Sequence, residues 1–271
     1  MANKDIKEIT EKLEQGVKDV FSSDKYIEYL KFMSKFYNYS VNNIILIMMQ
    51  KPEASLVAGY KAWQTKFKRQ VRKGEKGITI LAPCQHKVIV GEDEDGNDIE
   101  KKWMSFRAVK VFDVSQTDGE ELPTGCVTAL NGDVTGFNEL FDKLVAVSPV
   151  SVEIANIEGR ANGYFSSVDK RIVVKEGMSE QQTIKTLVHE ISHAILHDKE
   201  DGEEKEADRN TREVQAESVA YTVCSMLGLD TSDYSFGYVA GWSSDKDVKE
   251  LSASMEVIRK TAKGIVDALA A

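Results

Sequence analysis

Two of the four histidines in the chain stand four residues apart, and a glutamate follows the first of them: His189, Glu190 and His193. On an α-helix, residues at positions i and i+4 lie one turn apart on the same face, so both imidazoles can bind one metal ion. Glu190 projects beside them and can take a proton from a water molecule at the ion without being a ligand. This spacing predicts a catalytic zinc site for peptide hydrolysis, with His189 and His193 as ligands and Glu190 as the general base.

A catalytic zinc ion usually has three protein ligands and one open position, so the site requires a third ligand. His197 is unsuitable, because three histidines at i, i+4 and i+8 span about 12 Å of helix rise. We assign His197 a supporting or purely structural place. Glu213 and Glu217 lie one turn apart on a later predicted helix. We predict that Glu213 binds the metal and that Glu217 accepts a hydrogen bond from a ligating imidazole. The alternative is a solvated acidic helix face.

The helix that carries the motif must be held firmly if its ligands are to be well placed. Ser179, followed three residues later by Gln182, predicts where this helix begins. Apolar residues then form a surface that can pack into a core, namely Ile184, Leu187, Val188, Ile191, Ala194 and Ile195. The alternative is a chance occurrence of the motif, with histidines that are ordinary core or surface residues.

Peptide hydrolysis also needs a donor for the developing oxyanion. Tyr164, Tyr221 and Tyr238 are candidates, although each is equally consistent with a packed aromatic residue. The predicted strand 163–166, ahead of the motif helix, could pair with an extended peptide substrate. It could also be an ordinary sheet strand.

Length and composition describe an ordinary globular protein. A chain of 271 residues predicts two domains, and 42% hydrophobic with 29% charged residues excludes collagen, disorder and a disulfide scaffold. No apolar run approaches the roughly 20 residues of a membrane span, and the first residues lack the apolar stretch of a signal peptide. We therefore predict a cytoplasmic protein with no membrane partner. Three widely spaced cysteines argue against disulfides and against a cysteine zinc site.

A second cluster is basic, although the chain as a whole carries a net charge of -9. Seven Lys and Arg residues lie within 61–76 against one acid, and aromatic residues stand between them. Cations can bind phosphates while aromatic faces stack on unpaired bases. The predicted contacts with single-stranded DNA are Tyr60, Lys61, Trp63, Lys66, Lys68, Arg69, Arg72, Lys73 and Lys76. In the alternative, Trp63 and Phe67 pack inward from a predicted helix 61–69 while the lysines face water.

The order of elements predicts an α+β protein with two domains. Helices open the chain, and β-branched segments at 77–81, 86–90 and 104–114 predict strands of an antiparallel sheet. The acidic segment 91–98 between two of these strands predicts a hairpin turn rather than a calcium loop, because the EF-hand ligand spacing is missing. Turn-forming residues across 116–133 place the boundary, giving domains 1–125 and 135–271.

The second half resembles zincins of the ImmA/IrrE type, which combine H-E-x-x-H with a later helix carrying glutamate, two residues and alanine. That sequence is found here as Glu213-Val214-Gln215-Ala216, and the resemblance supports Glu213 as the third ligand. It extends over roughly 150–227.

The first half resembles the N-terminal single-stranded-DNA-binding domain of the ArdC antirestriction family. The similar stretches are Tyr39-Ser40-Val41-Asn42-Asn43, Gly59-Tyr60-Lys61-Ala62-Trp63-Gln64-Thr65-Lys66, Val71-Arg72-Lys73-Gly74-Glu75-Lys76-Gly77 and Val111-Phe112-Asp113-Val114-Ser115-Gln116-Thr117. The family's glycine-rich start is missing, and the connection after the motif helix is acidic here.

Together the resemblances imply an antirestriction protein of a mobile genetic element, with a single-stranded-DNA-binding domain and a zinc peptidase domain. The main alternative is an ImmA/IrrE-like regulatory protease that cleaves a repressor protein, in which the basic segment is structural. A third hypothesis is a DNA-binding protein whose zinc ion only stabilises the fold.

Overall fold

The computed structural model describes residues 2–21, 23–92, 98–122, 136–198 and 207–271. Most of the predicted hairpin turn at 91–98, the boundary region after 122, the acidic residues 200–206 and Cys126 lie outside these ranges. Within them, the helices are α1 (Ala2–Val20), α2 (Ser23–Phe36), α3 (Val41–Gln50), α4 (Tyr60–Thr65), α5 (Phe137–Val147), α6 (Glu180–His197), α7 (Arg209–Met226), α8 (Val239–Ser243) and α9 (Val248–Leu269). The strands are β1 (Val57–Gly59), β2 (Arg69–Val71), β3 (Ile78–Glu92), β4 (Asp98–Asp113), β5 (Thr117–Gly119), β6 (Ser151–Ala155), β7 (Gly163–Ser166) and β8 (Arg171–Lys175).

The chain forms two compact units, and the predicted α+β class is confirmed. The first unit comprises Met1–Gly16 and Ile45–Leu122, and the second comprises Val17–Ile44 and Pro123–Ala271. This division differs from the predicted domains 1–125 and 135–271, because residues 17–44 belong to the second unit. A buried hydrogen bond of 2.8 Å between the hydroxyls of Tyr26 and Ser218 is one reason.

The first unit is built on the antiparallel sheet β1-β4-β3. Its core includes Trp63, Ile78, Ile80 and Val111, all less than 9% exposed. Strand β1 pairs only with the last residues of β4, so β3 and β4 continue beyond it as a two-stranded hairpin.

A buried carboxylate joins the sheet to the loops at its end. Asp113 is 1% exposed, and its side chain accepts hydrogen bonds from the backbone N–H groups of Ser55, Leu56 and Ser115. Burial opposes ionisation, but these hydrogen bonds outweigh it and lower the pKa of Asp113. Within Val111–Thr117, one of the stretches that resemble ArdC, Asp113 therefore has a structural role.

The predicted helix 61–69 is wrong in its second half, because α4 ends at Thr65. Lys68 has a φ of 52°, in the left-handed region that ends a helix. The reversal lets Arg69–Val71 pair with Thr117–Gly119 as the two-stranded sheet β2-β5. Gly119 has a φ of 144°, and a Cβ there would lie 2.6 Å from the Lys68 carbonyl oxygen, so this crossing requires glycine.

The second unit places helices on one small sheet. Strand β8 lies between β6, to which it is parallel, and β7, to which it is antiparallel. Helix α6 packs on β7 and β8, and α7 packs against α6 and α9. Among the described residues, none of the helices combines the length and the apolar character needed to cross a bilayer.

Candidate metal centre and nucleic-acid contacts

Helix α6 holds the two histidines of the motif on a buried support. Its N-cap is Ser179, whose hydroxyl accepts a hydrogen bond of 3.2 Å from the backbone N–H of Gln182. The apolar face is fully buried at Ile184, Leu187, Val188 and Ile191. His189 and His193 lie on the adjoining, partly exposed face. The buried helix fixes the position of their backbone, while one side of each ring is open to solvent.

Helix α7 supplies the two carboxylates. It begins after Asp208, whose side chain accepts from the backbone N–H of Thr211 at 2.9 Å. Val214 and Ala216 are fully buried, and this packing turns Glu213 and Glu217 toward α6.

His189, His193 and Glu213 bring one ligand atom each to a common point. The Nε2 atoms of the two histidines are 3.1 Å apart, and Glu213 Oε2 lies 3.8 Å from Nε2 of His189 and 3.7 Å from that of His193. Tetrahedral bonds of about 2.0–2.1 Å separate two ligand atoms by about 3.3 Å. The three side chains therefore fit a divalent metal, and two imidazoles with one carboxylate are a usual donor set of catalytic zinc.

Hydrogen bonds on the far side of each ring show how this cluster could hold a cation. Nδ1 of His189 lies 3.1 Å from Glu217 Oε2, and Nδ1 of His193 lies 3.0 Å from Nδ1 of His197. If both Nδ1 atoms carry the proton and donate outward, both Nε2 atoms present lone pairs to each other and to Glu213. Three electron pairs at these distances repel one another unless a metal ion or a proton lies between them.

Nearby carboxylates also favour a positive charge at His189. Burial lowers its pKa, but the hydrogen bond to Glu217 and the nearby carboxylates of Glu190 and Glu213 outweigh burial and raise it.

His197 is positioned to orient His193 rather than to bind the metal. Burial lowers the pKa of His197 to about 4, so the ring is neutral at pH 7 and its Nδ1 can accept the proton of His193. Its Nε2 then donates to Gln215 Oε1 at 3.2 Å, and Gln215 Nε2 donates to Ser254 Oγ at 3.3 Å. No short sequence pattern pointed to Gln215 or Ser254, because this contact joins three separate helices.

Glu190 is buried beside the candidate metal ligands. It is 7% exposed, and burial raises its pKa, as expected for a carboxylate that must accept a proton near neutral pH. The backbone N–H of Phe165 donates to its side chain. A Cβ at Gly163 would lie 2.7 Å from Thr186 Cγ2 and 3.3 Å from Glu190 Cγ, so only glycine lets β7 approach this closely.

The three candidate oxyanion donors have different surroundings. Tyr221 is 3% exposed and packs edge-on against Tyr234 and Phe236, so it is a core residue. Tyr164 lines a cavity of about 370 Å³ together with Arg171. Tyr238 is 46% exposed, and burial of part of its ring, then the charges of Glu217 and Glu213, raise its pKa. Tyr238 therefore lies within the electrostatic influence of Glu213 and Glu217 and stays a candidate donor.

The predicted DNA-stacking role of Trp63 is corrected by its burial. Trp63 is 0% exposed, its Nε1 donates to the Phe112 carbonyl at 2.9 Å, and its ring lies 4.8 Å from that of Phe67. Its ring faces are thus covered by core atoms and cannot receive a base.

The two arginines of the basic cluster make internal contacts. Arg69 donates to the side chain and carbonyl of Thr117 and to the carbonyls of Gly119 and Glu120. Arg72 forms ion pairs with Glu75 and Asp118. The remaining members of the predicted set are exposed, namely Tyr60, Lys61, Lys66, Lys68, Lys73 and Lys76.

Comparison with known proteins agrees with this architecture. Residues 1–114 match the family model of the N-terminal domain of anti-restriction factor ArdC, and residues 149–263 match that of the IrrE N-terminal-like domain. The chain is ArdC-like. It combines an ArdC-type N-terminal domain with an IrrE-like peptidase-family domain, as the resemblances implied.

Two solved structures share the fold of the ArdC-like chain. The metal-free antirestriction ArdC protein from plasmid R388 superposes with a TM-score of 0.57 at 24% identity, and its Mn(II)-bound form does so with 0.52 at 22%. Each comparison covers 86% of this chain and 85% of the other. An uncharacterised protein of Bacillus anthracis is 26% identical in an alignment of 302 positions that covers 97% of this chain and 51% of that protein. The ArdC-like chain thus spans about half the length of this curated relative.

Proposed function

We propose that the second unit is a zinc-dependent peptidase. The observation that carries this proposal is the convergence of His189 Nε2, His193 Nε2 and Glu213 Oε2, with the buried carboxylate of Glu190 next to them. In the part of the chain that the structure describes, three ligands converge and leave one position open, whereas a purely structural zinc site is closed by four. This difference favours a catalytic site over the hypothesis of a metal that only stabilises the fold.

The side chains divide the chemistry of peptide hydrolysis among them. A bound zinc ion would supply Lewis-acid activation of a water molecule and of the peptide carbonyl. Glu190 takes a proton from that water on its carboxylate oxygen and returns it to the leaving amine. Glu217 and His197 hold the ligand rings in the required tautomer, and Tyr238 is our candidate donor to the oxyanion. Strand β7 is the edge along which an extended peptide would bind.

Metal analysis tests the ligand assignment. Parent protein incubated with zinc and dialysed should retain about one ion per chain. Glu213→Ala should lose it, because two histidines alone cannot complete the site. Glu217→Ala should keep binding with an affinity about 10- to 100-fold weaker, because it removes only an orienting hydrogen bond.

A parent protein that retains no zinc would overturn the proposed peptidase site. Parallel titration with Mn(II), the ion bound in one of the solved ArdC structures, identifies the preferred metal.

We also propose that the first unit binds single-stranded DNA and that the whole chain acts in antirestriction in the cytoplasm on behalf of a mobile element. The match of residues 1–114 to the N-terminal domain of ArdC supports this. Binding to an oligothymidine of roughly 20 nucleotides should weaken steeply with salt, because phosphate contacts release counterions. No binding at low salt would eliminate the DNA function.

The IrrE-like domain favours one second candidate, a regulatory protease that cleaves a repressor protein. The two functions are separated by adding single-stranded DNA to a peptidase assay. A regulatory protease would cleave its substrate equally well in the absence of DNA.

A further inference from the structure

The hairpin of β3 and β4 extends beyond the core of the first unit. We use the term ribbon for residues 81–90 of β3 and 101–110 of β4, which pair antiparallel from Leu81↔Ala108 to Val88↔Lys101. Strand β1 pairs only with residues 111–113, so among the described strands those of the ribbon pair with each other alone. Their two faces are therefore not covered by another sheet strand.

The charge of the ribbon is opposite to that of the whole chain. Its twenty residues contain no aspartate or glutamate, in a protein with a net charge of -9, although Glu92, Asp98 and Glu100 follow at the turn end of the same strands. The ribbon itself contains five cationic residues, namely Lys87, Lys101, Lys102, Arg107 and Lys110. A surface of this kind attracts a polyanion and repels basic protein surfaces.

One face of the ribbon combines an aromatic pair with cations. Trp103 lies directly opposite His86, and the two rings stack with centroids 5.2 Å apart and an interplanar angle of 15°. Trp103 is nevertheless 49% exposed, because His86 covers only part of it. Lys101 and Arg107 are exposed residues of the same strand and the same face, two and four positions away, or about 7 and 13 Å along it.

The opposite face exposes apolar side chains as well. Met104 is 54% exposed and Phe106 is 54% exposed. Large apolar residues clustered on a solvent-exposed element indicate a binding surface. Cross-strand stacking accounts for the pairing of Trp103 with His86, but the hairpin does not need Met104, Phe106 and five cations in order to fold.

We propose that the ribbon is the surface on which single-stranded DNA binds, with a base stacked on the exposed part of Trp103 and phosphates bound by Lys101 and Arg107. This inference rests on the proposed DNA function and assigns it to residues outside the basic cluster 60–76. Unpaired bases fit the surface better than a duplex does, because the faces of paired bases are hidden inside the stack.

Tryptophan fluorescence provides a direct measurement. The chain has three tryptophans, of which Trp63 is 0% and Trp242 is 8% exposed. Oligothymidine added to the full chain should quench the emission of Trp103, and the quenching should be lost in Trp103→Phe. A duplex of equal length should give little quenching. Equal quenching by the duplex would overturn the assignment to single strands.

Variants with matched charge locate the surface. Lys101→Gln combined with Arg107→Gln should reduce the salt dependence by about 1.4 in logarithmic slope, because two phosphate contacts are lost. Trp103→Ala should weaken binding roughly 5- to 150-fold, the range for one stacked base. Lys61→Gln combined with Lys73→Gln removes the same charge from the basic cluster and should change affinity less than about 3-fold, the effect of long-range charge alone.

The outcomes separate this inference from the function on which it rests. If the parent chain binds no single-stranded DNA, the proposed DNA function fails. If the parent binds and the ribbon variants bind as tightly as the parent, the ribbon is excluded but the DNA function stands. Weaker binding by the Lys61 and Lys73 variant would then locate the DNA surface in the basic cluster. Trp103→Phe, which keeps an aromatic ring opposite His86, and circular dichroism of each variant show that a loss of binding is not a loss of folding.

Discussion

Glu190→Gln is expected to abolish peptide hydrolysis while leaving metal binding intact. The amide has the same shape but cannot accept a proton, and loss of a general base lowers the rate by about 10²- to 10⁴-fold. Glu190 is 7% exposed and is not among the three proposed metal ligands, so we expect the ion to stay. The measurement is cleavage of a fluorescence-quenched peptide library, together with zinc content.

Glu180→Gln is the matched control. It makes the same substitution in the same helix at an exposed position in the first turn, and cleavage should equal that of the parent. The assignment of Glu190 as general base would be refuted by a Glu190→Gln protein that retains zinc and cleaves peptides at the parent rate. A protein that has lost zinc as well would show instead that Glu190 supports the ligands.

The same variant separates chemistry from antirestriction. Glu190 belongs to the second unit, and the candidate DNA surfaces belong to the first. Antirestriction activity of a Glu190→Gln protein that binds DNA but hydrolyses no peptide would therefore show whether antirestriction requires peptide hydrolysis.

Helical periodicity was sufficient to bring together the candidate metal ligands. His189 and His193 share one face of α6, Glu213 and Glu217 share one face of α7, and the structure brings the two faces together. This worked because both pairs depend only on one helical turn of spacing. The contact of His197 with Gln215, and of Gln215 with Ser254, depends on how three helices pack, which local spacing does not encode.

The first unit shows where local patterns were insufficient. The spacing of Trp63 and Phe67 is compatible both with a stacking surface and with a core. Tertiary packing buries Trp63 in the core. Helix α4 ends early because pairing of β2 with β5 competes with helix formation, and the left-handed Lys68 marks where pairing prevails. The β-branched residues of 104–114 predicted a strand, but they could not show that β1 leaves Trp103 uncovered.

Trp63→Ala is expected to destabilise the first unit by about 3–5 kcal/mol, the cost of removing a fully buried large aromatic side chain. Hydrogen exchange followed by mass spectrometry on peptides from 57–71 and 105–117 measures this, because it reports the first unit separately. Trp63→Phe should cost less, since it keeps a ring but leaves the carbonyl of Phe112 without its donor. The exposed neighbour Gln64→Ala should change little.

The same variants decide between the two roles considered for this tryptophan. A core residue predicts that Trp63→Phe, under conditions where it is folded, binds oligothymidine as the parent does, because its ring never faced solvent. A stacking residue predicts the reverse, namely unchanged hydrogen exchange in Trp63→Ala and binding weaker by about 1–3 kcal/mol for the lost base contact. Because burial and hydrogen bonding both place the indole inside the unit, we expect stability to fall and affinity of the folded protein to persist.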